Sequence, residues 1–436
     1  MKIENIRKIL NKNILADGFD PIIDLDKSYG SIIVDQRNQD EYLDMFSMFA
    51  SGAVGYNHPY IVENKNILGK IAVNKTTLSD IYNIYYAEFV ETFNKIAIPD
   101  YLKNAFFIDG GSLAVENALK AAFDWKKRTN LEKNIKAEGN KVIYFNQAFH
   151  GRSGYTLTLT NTSDPRKTMY FPKFPWFKVH NPHLTFPYDD EMIEILIENE
   201  KKVIDSINDI LSKNKGDIAA IIIEPIQGEG GDNHFRNEFM LELRRVCDEN
   251  DIIFIFDEVQ TGIGITGKMW AHEHFSIKPD IISFGKKTQV CGMLAGNKIY
   301  DLDDNVFKES SRINSTFGGN LVDMYRFKLI LEIIKKENLL NNATQMGKYL
   351  LKNINSLSEE FPGYVTNPRG VGLFCAFDMT STIERDKLIN LLFKNKLLIL
   401  GSGDKSIRFR PHLNVLKKDL DLAIDVIYNT LKKMLN

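Results

Sequence analysis

Ile252-Ile253-Phe254-Ile255-Phe256-Asp257-Glu258-Val259-Gln260 and Ile281-Ile282-Ser283-Phe284-Gly285-Lys286-Lys287 are the two stretches on which the fold turns. Each is a short apolar run, β-branched and aromatic, that stops at a charged cluster. Runs of this length read as strands buried on both faces of a parallel sheet. Working outward, residues 218–224, 141–145 and 106–108 form further apolar runs of the same kind. Between them, residues 113–128 place Val115, Ala118, Leu119, Ala122 and Trp125 at helical spacing, and residues 191–213 and 236–250 are amphipathic. Strands alternating with helices predict an α/β fold whose large, mostly parallel sheet is covered on both faces. In such sheets the functional residues sit just beyond the carboxyl ends of the strands.

The C-terminal part has another character. Residues 327–357 read as one long helix, residues 370–377 and 406–410 as strands, and residues 420–434 as a final helix capped by Asp419. This predicts a smaller α+β domain. Residues 31–43 resemble a hairpin, and the N-terminal segment is expected to join that domain. The expected division is 1–75, 76–326 and 327–436.

Composition narrows the class. The chain has 436 residues, room for two or three domains at roughly 150 each. With 44 % hydrophobic and 26 % charged residues it falls outside the disordered and low-complexity classes. A net charge of −2 supplies no bulk field for a nucleic acid, so none is expected as partner. Cys247, Cys291 and Cys375 are far apart, with neither a disulfide framework nor zinc spacing. The first residues lack an apolar signal core, and no apolar run approaches about 18 residues. A cytoplasmic protein without a membrane span is the expectation.

Polar clusters follow the strands: Asp109-Gly110-Gly111-Ser112, Phe149-His150-Gly151-Arg152, Glu224 to Glu229, Asp257 to Gln260, and Gly285-Lys286-Lys287. The Gly111-Ser112 pair before a helix suits either a phosphate at free N–H groups or an ordinary serine cap. Gly262-Ile263-Gly264-Ile265-Thr266-Gly267 matches a dinucleotide fingerprint in letters only. Asp257 to Gln260 separates it from the strand, and no second strand ends in an acid at the required distance. His272 and His274 alternate on an expected helix and so point apart, which disfavours a metal, and none is expected. Phe171 to Trp176 forms an aromatic, proline-broken loop, either a substrate wall or a core plug. Asp257 at the end of a buried strand needs a cation or hydrogen-bond donors. Lys286 after the next strand is either its structural ion partner or, desolvated, a Schiff-base amine. Asp, Lys and a phosphate-ready helix start are the parts that pyridoxal phosphate requires.

Gly110 to Lys120, together with FHGR, EPIQGEGG, FDEVQTGIGITG, PDIISFGK, STFGGN and IRFRP in that order, resembles the class III (omega) aminotransferases from about Tyr29 to the C-terminus. The resemblance implies the aspartate aminotransferase-like fold (pyridoxal-phosphate fold type I) and pyridoxal 5'-phosphate as cofactor. It assigns the Schiff base to Lys286, 29 residues after Asp257, although Lys287 adjoins it and Thr288 to Gly292 departs from the family pattern. It gives Asp257 to the pyridine nitrogen, Gln260 to the ring hydroxyl, Phe149 and Val259 to the two ring faces, and Gly111 and Ser112 to the phosphate. Thr316 would reach the phosphate of a partner subunit, which implies a homodimer. Arg152 and Glu224 would line the substrate pocket, Arg152 meeting a distal carboxylate. Arg408 would bind the α-carboxylate of 2-oxoglutarate, with Glu229 as its removable partner. Within the family, FGKKTQVCG and the loop at Tyr170 to Phe174 look most like the enzymes that carry the ε-amino group of L-lysine to 2-oxoglutarate. Donors such as 4-aminobutyrate and ornithine are the alternatives. A non-catalytic dimer would have lost Lys286 or Asp257, and a racemase or decarboxylase would not need the Glu229–Arg408 pair.

Overall fold

The structure is a computed structural model and describes residues 2–435. Its central sheet has seven strands: β1 (Asn104–Ile108), β2 (Lys141–Phe145), β3 (Phe177–Val179), β4 (Ile218–Ile223), β5 (Ile253–Asp257), β6 (Ile281–Phe284) and β7 (Cys291–Ala295). Their order is β1-β7-β6-β5-β4-β2-β3, and every neighbouring pair is parallel except the two made by β7. All residues of β4, β5 and β6 are buried, as continuous apolar runs demand. The helix Gly111–Glu132 lays Val115, Ala118, Leu119, Ala122 and Trp125 on one face of the sheet. Phe239, Leu243 and Val246 of the helix Asn237–Glu249 pack in the core of the other.

Register decides where the chemistry lies. Ile223 pairs with Phe256, and Asp257 with Ser283, so β4, β5 and β6 end at one edge. Glu224, Asp257 and the Gly285-Lys286 step therefore emerge side by side.

Strands β3 and β7 were not expected from the sequence. β3 follows the aromatic, proline-broken loop directly and shows no alternation. β7 contains Gly292, where a Cβ would meet Phe106 O at 2.1 Å and the Phe284 ring at 2.6 Å. Only glycine lets three strands approach so closely there.

A four-stranded antiparallel sheet, in the order Thr366–Val371, Phe374–Asp378, Ser406–Phe409, Leu400–Ser402, makes the core of the C-terminal part. The hairpin is present: Ile32–Val34 pairs antiparallel with Glu41–Asp44, which in turn runs parallel to Leu397–Leu398. The expected single helix at 327–357 is two, Leu321–Lys336 and Leu339–Glu360. Asn338 between them is left-handed (φ 54°, ψ 45°), a conformation that asparagine tolerates better than most residues. The first of these helices runs through position 327. Asp419 sits inside the last helix, Lys417–Leu435, and its carboxylate accepts the N–H of Leu416 at 3.2 Å, securing the helix start from within rather than from the cap position. Among the described residues no helix is long and apolar enough to cross a membrane.

The helix Leu339–Glu360 touches the small sheet's turn backbone to backbone, since a Cβ at Gly347 would lie 2.1 Å from the Gly372 carbonyl. Gly347→Ala should therefore destabilise the fold by about 1–3 kcal/mol through overpacking, read as a lowered thermal midpoint.

Candidate active site

Two adjoining cavities open at the strand ends. The first, about 300 Å³, is lined by Gly111, Ser112, Phe149, His150, Arg152, Glu224, Asp257, Val259, Gln260 and Lys286. The second, about 330 Å³, shares Phe149, Arg152, Gln260 and Lys286 with it and adds Lys167, Glu229, Arg408 and Arg410. All the residues expected at the site from the sequence are thus gathered here, except one. Thr316 is exposed and lies on neither wall.

At the floor, Asp257 is 4 % exposed and fully engaged on its protein side. Its Oδ1 accepts from the Val259 N–H at 3.0 Å and the Ser283 hydroxyl at 3.2 Å, while Oδ2 meets His150 Nδ1 at 2.7 Å. His150 is held in turn, its own N–H donating to Thr160 Oγ1 at 3.0 Å. The helix Gly111–Glu132 opens without a side-chain cap, so its first N–H groups face the cavity. Ser112 is not a cap. Its hydroxyl lies 2.5 Å from that of Ser153 and 2.6 Å from that of Thr156. A Cβ at Gly111 would meet Val259 Cγ1 at 2.9 Å, so glycine keeps this end open.

The two lysines part company. Lys286 lines both cavities, and its φ of 56° turns it out of the strand direction. Burial, with repulsion from Arg408 and Arg410, brings its ammonium down to about 8, against partial support from Glu229 and Glu224. Lys287 is 1 % exposed, lines neither cavity, and donates to the Gln260 carbonyl at 3.1 Å. Burial and the neighbouring Lys286 push its ammonium well down.

The carboxylates divide by partner. Glu224 accepts from the Phe149 N–H and the Gly228 N–H, both at 3.0 Å, and makes no ion pair among the described residues. Burial raises it to about 7. Burial would raise Glu229 as well, but Arg408 (2.8 Å) and Lys167 (2.5 Å) outweigh it and hold the carboxylate below its ordinary value. Arg152 is exposed and makes no ion pair among the described residues, leaving its guanidinium free for a ligand.

Several contributors escaped the sequence reading. His150 was part of a quoted motif, but nothing in one sequence shows that its ring meets Asp257. Arg410, also in a quoted motif, donates to Gln260 Oε1 at 2.9 Å and pairs with buried Asp232 at 2.7 Å. Phe46 and Phe49 wall the second cavity from a left-handed turn, with φ between 42° and 66° from Ser47 to Ala50. No glycine marks that turn, so no signal was available.

A flat ring fits these walls: apolar Phe149 and Val259, a shielded carboxylate to answer a ring cation, and an uncapped helix start for a phosphate. With a depressed lysine at the mouth, this is the site of a pyridoxal-phosphate enzyme. The class III aminotransferase family model matches residues 15–431, and the chain belongs to that family. It is a transaminase with pyridoxal 5'-phosphate as cofactor. It is similar to the L-lysine-epsilon aminotransferase of Mycobacterium tuberculosis, 45 % identical over 98 % of this chain and 95 % of that protein. The corresponding protein of Streptomyces clavuligerus is 42 % identical over 97 % and 93 %. Human mitochondrial 4-aminobutyrate aminotransferase is more distant, 31 % identical over 94 % and 85 %. The solved lysine aminotransferase of M. tuberculosis, in the internal aldimine form, superposes with a TM-score of 0.96 at 44 % identity, covering 99 % of this chain and 100 % of that one.

Borohydride reduction of the holoenzyme followed by peptide mass spectrometry should place the pyridoxyl label on Lys286. Lys286→Ala should lose it and Lys287→Ala should keep it. Because the free amine is the nucleophile, cofactor uptake by the apoprotein should speed up as pH rises and level off above about 8. A rate still climbing towards 10.5 would indicate an unperturbed lysine.

Proposed function

We propose that this chain transfers the ε-amino group of L-lysine to 2-oxoglutarate. The products are glutamate and 2-aminoadipate 6-semialdehyde, which cyclises to piperideine-6-carboxylate. The observation that carries the reading is the 45 % identity, over 98 % of the chain, to a curated L-lysine-epsilon aminotransferase. The cofactor, when bound, supplies the carbonyl that receives the amino group and the electron sink that acidifies the amine-bearing carbon.

The chain's own residues do the rest. Asp257, fixed by His150, Ser283 and Val259, would answer the pyridine nitrogen and hold its proton there. Phe149 and Val259 would flank the ring, Gln260 would meet its hydroxyl, and Gly111 and Ser112 would offer N–H groups to the phosphate. Lys286 Nζ would anchor the cofactor and, once released, would take and return the proton of the substrate's amine-bearing carbon, work that an amine below the ordinary lysine range suits.

Two substrates must share one pocket. Lysine brings its amine to the reacting carbon and leaves its carboxylate at the far end, where Arg152 receives it, with Glu224 on the pocket wall. 2-Oxoglutarate brings a second carboxylate close to the reacting carbon, where Arg408 receives it. Glu229 neutralises Arg408 when lysine is bound and leaves it when 2-oxoglutarate arrives. Thr316, exposed on its own subunit, would complete the phosphate site of a partner in a homodimer. The division at 75/76 and 326/327 and a cytoplasmic location belong to the same reading.

An amino-donor panel with 2-oxoglutarate, with the cyclised product trapped by an aromatic amine, tests the donor. Lysine should exceed ornithine and 4-aminobutyrate, and preference for either of those would overturn the assignment. Single-turnover spectra test the pocket. Glu229→Ala leaves Arg408 uncompensated, about 3–5 kcal/mol for a buried pair and at the low end here because Glu229 is partly exposed. It should weaken the lysine half-reaction and spare the 2-oxoglutarate half. Arg408→Ala should do the reverse, and Arg152→Ala should damage both.

A further inference from the structure

Glu229 holds two cations at once, one with each oxygen. Oε2 accepts from Arg408 at 2.8 Å and Oε1 from Lys167 at 2.5 Å. The two cations stand on different sides of it. Arg408 faces the cavity it shares with Lys286 and Gln260 and does not line the outer one described next. Lys167 and Glu229 face that cavity and also an outer one of about 510 Å³, whose opposite wall carries Thr382, Arg385 and Asp404. The Lys167–Glu229 pair is therefore the partition between them.

Local sequence explains why Lys167 is the one to turn inward. It ends a single turn of 3-10 helix, Pro165–Lys167, capped by Asp164. Asp164 also engages Arg166 through both carboxylate oxygens, at 2.8 and 3.0 Å, which keeps that cation on the surface. Lys167 is left free to reach Glu229, with the Phe149 ring 5.9 Å away and no other charged partner among the described residues.

A glutamate displaced from Arg408 by a substrate carboxylate would be stranded beside a second anion in a mostly enclosed place, an arrangement that opposes binding. A second cation, already in contact with the other oxygen, removes that obstacle.

We propose that Lys167 is a positioning residue for the exchange of substrates: it retains Glu229 at the mouth of the outer cavity while 2-oxoglutarate occupies Arg408. With lysine bound, Glu229 bridges both cations. With the acceptor bound, the bridge opens on the Arg408 side only. This rests on the Glu229–Arg408 exchange proposed above and adds the group that receives the displaced carboxylate.

The test measures glutarate, an unreactive dicarboxylate, binding to the holoenzyme by calorimetry, beside both half-reactions. Lys167→Met should weaken glutarate about tenfold, the scale of one hydrogen bond to a charged group, and slow only the 2-oxoglutarate half. Lys167→Arg should restore both. In a Glu229→Ala background Lys167→Met should change nothing further, because no carboxylate remains to be retained. Unaltered glutarate binding in Lys167→Met overturns the proposal, as does a loss that persists without Glu229, which would make Lys167 a direct ligand of substrate. Equal losses in both halves from Glu229→Ala alone would instead remove the underlying exchange, and the role of Lys167 with it. A wild type inactive with lysine but normal in glutarate binding would fault the donor assignment and leave Lys167 in place.

Discussion

Asp257 closes a strand whose five residues are all buried, and a charge so placed persists only where donors answer it. The protein side supplies three, from His150, Ser283 and the Val259 backbone. Each depends on a different part of the fold. Ser283 is its register partner on the neighbouring strand, Val259 belongs to the turn that follows, and His150 comes from the loop after another strand. The sheet must therefore be assembled in this order and register before the carboxylate finds its three donors. The cavity forms around the same point, because the strands that satisfy Asp257 also end there.

The glutamates show how one short stretch yields opposite electrostatics. Glu224 and Glu229 are five residues apart in sequence. Glu224 accepts from backbone N–H groups and is raised by burial to about 7, whereas Glu229 is bracketed by Arg408 and Lys167 and held low. A carboxyl that titrates near neutrality suits a pocket wall that must not repel an anion. A permanently charged one suits a counter-ion that exchanges with a substrate carboxylate. Neither behaviour belongs to glutamate as a residue type. Burial raises the first, and the second is held low by Arg408 of the C-terminal sheet and by Lys167 at the end of the Pro165–Lys167 turn.

Most of the architecture was legible because apolar runs and helical periodicity are local properties, and the runs at β4, β5 and β6 were long and pure. β7 was not legible, since Gly292 is required by a contact with Phe106 and Phe284 from other strands. The break at Asn338 was missed for a similar reason: the apolar spacing continues across it, and a single left-handed residue leaves no periodic trace. Asp419 was read at the right end of the right helix but one turn from its place, since a carboxylate can secure a helix start from within.

At the site, sequence alone determined the residue types, their order and their position after strand ends, because spacing along the chain survives without coordinates. It left Lys286 and Lys287 adjacent and chemically equal apart from an interval borrowed from the family. Tertiary structure separated them: a left-handed backbone turns Lys286 into the cavities, while Lys287 is spent on the Gln260 carbonyl. It alone paired His150 with Asp257, brought Arg410 to Gln260 and set Lys167 against Glu229. The physical reason is common to all of these. They join residues distant in sequence, and each depends on the strands and loops meeting in one register, which no local pattern encodes.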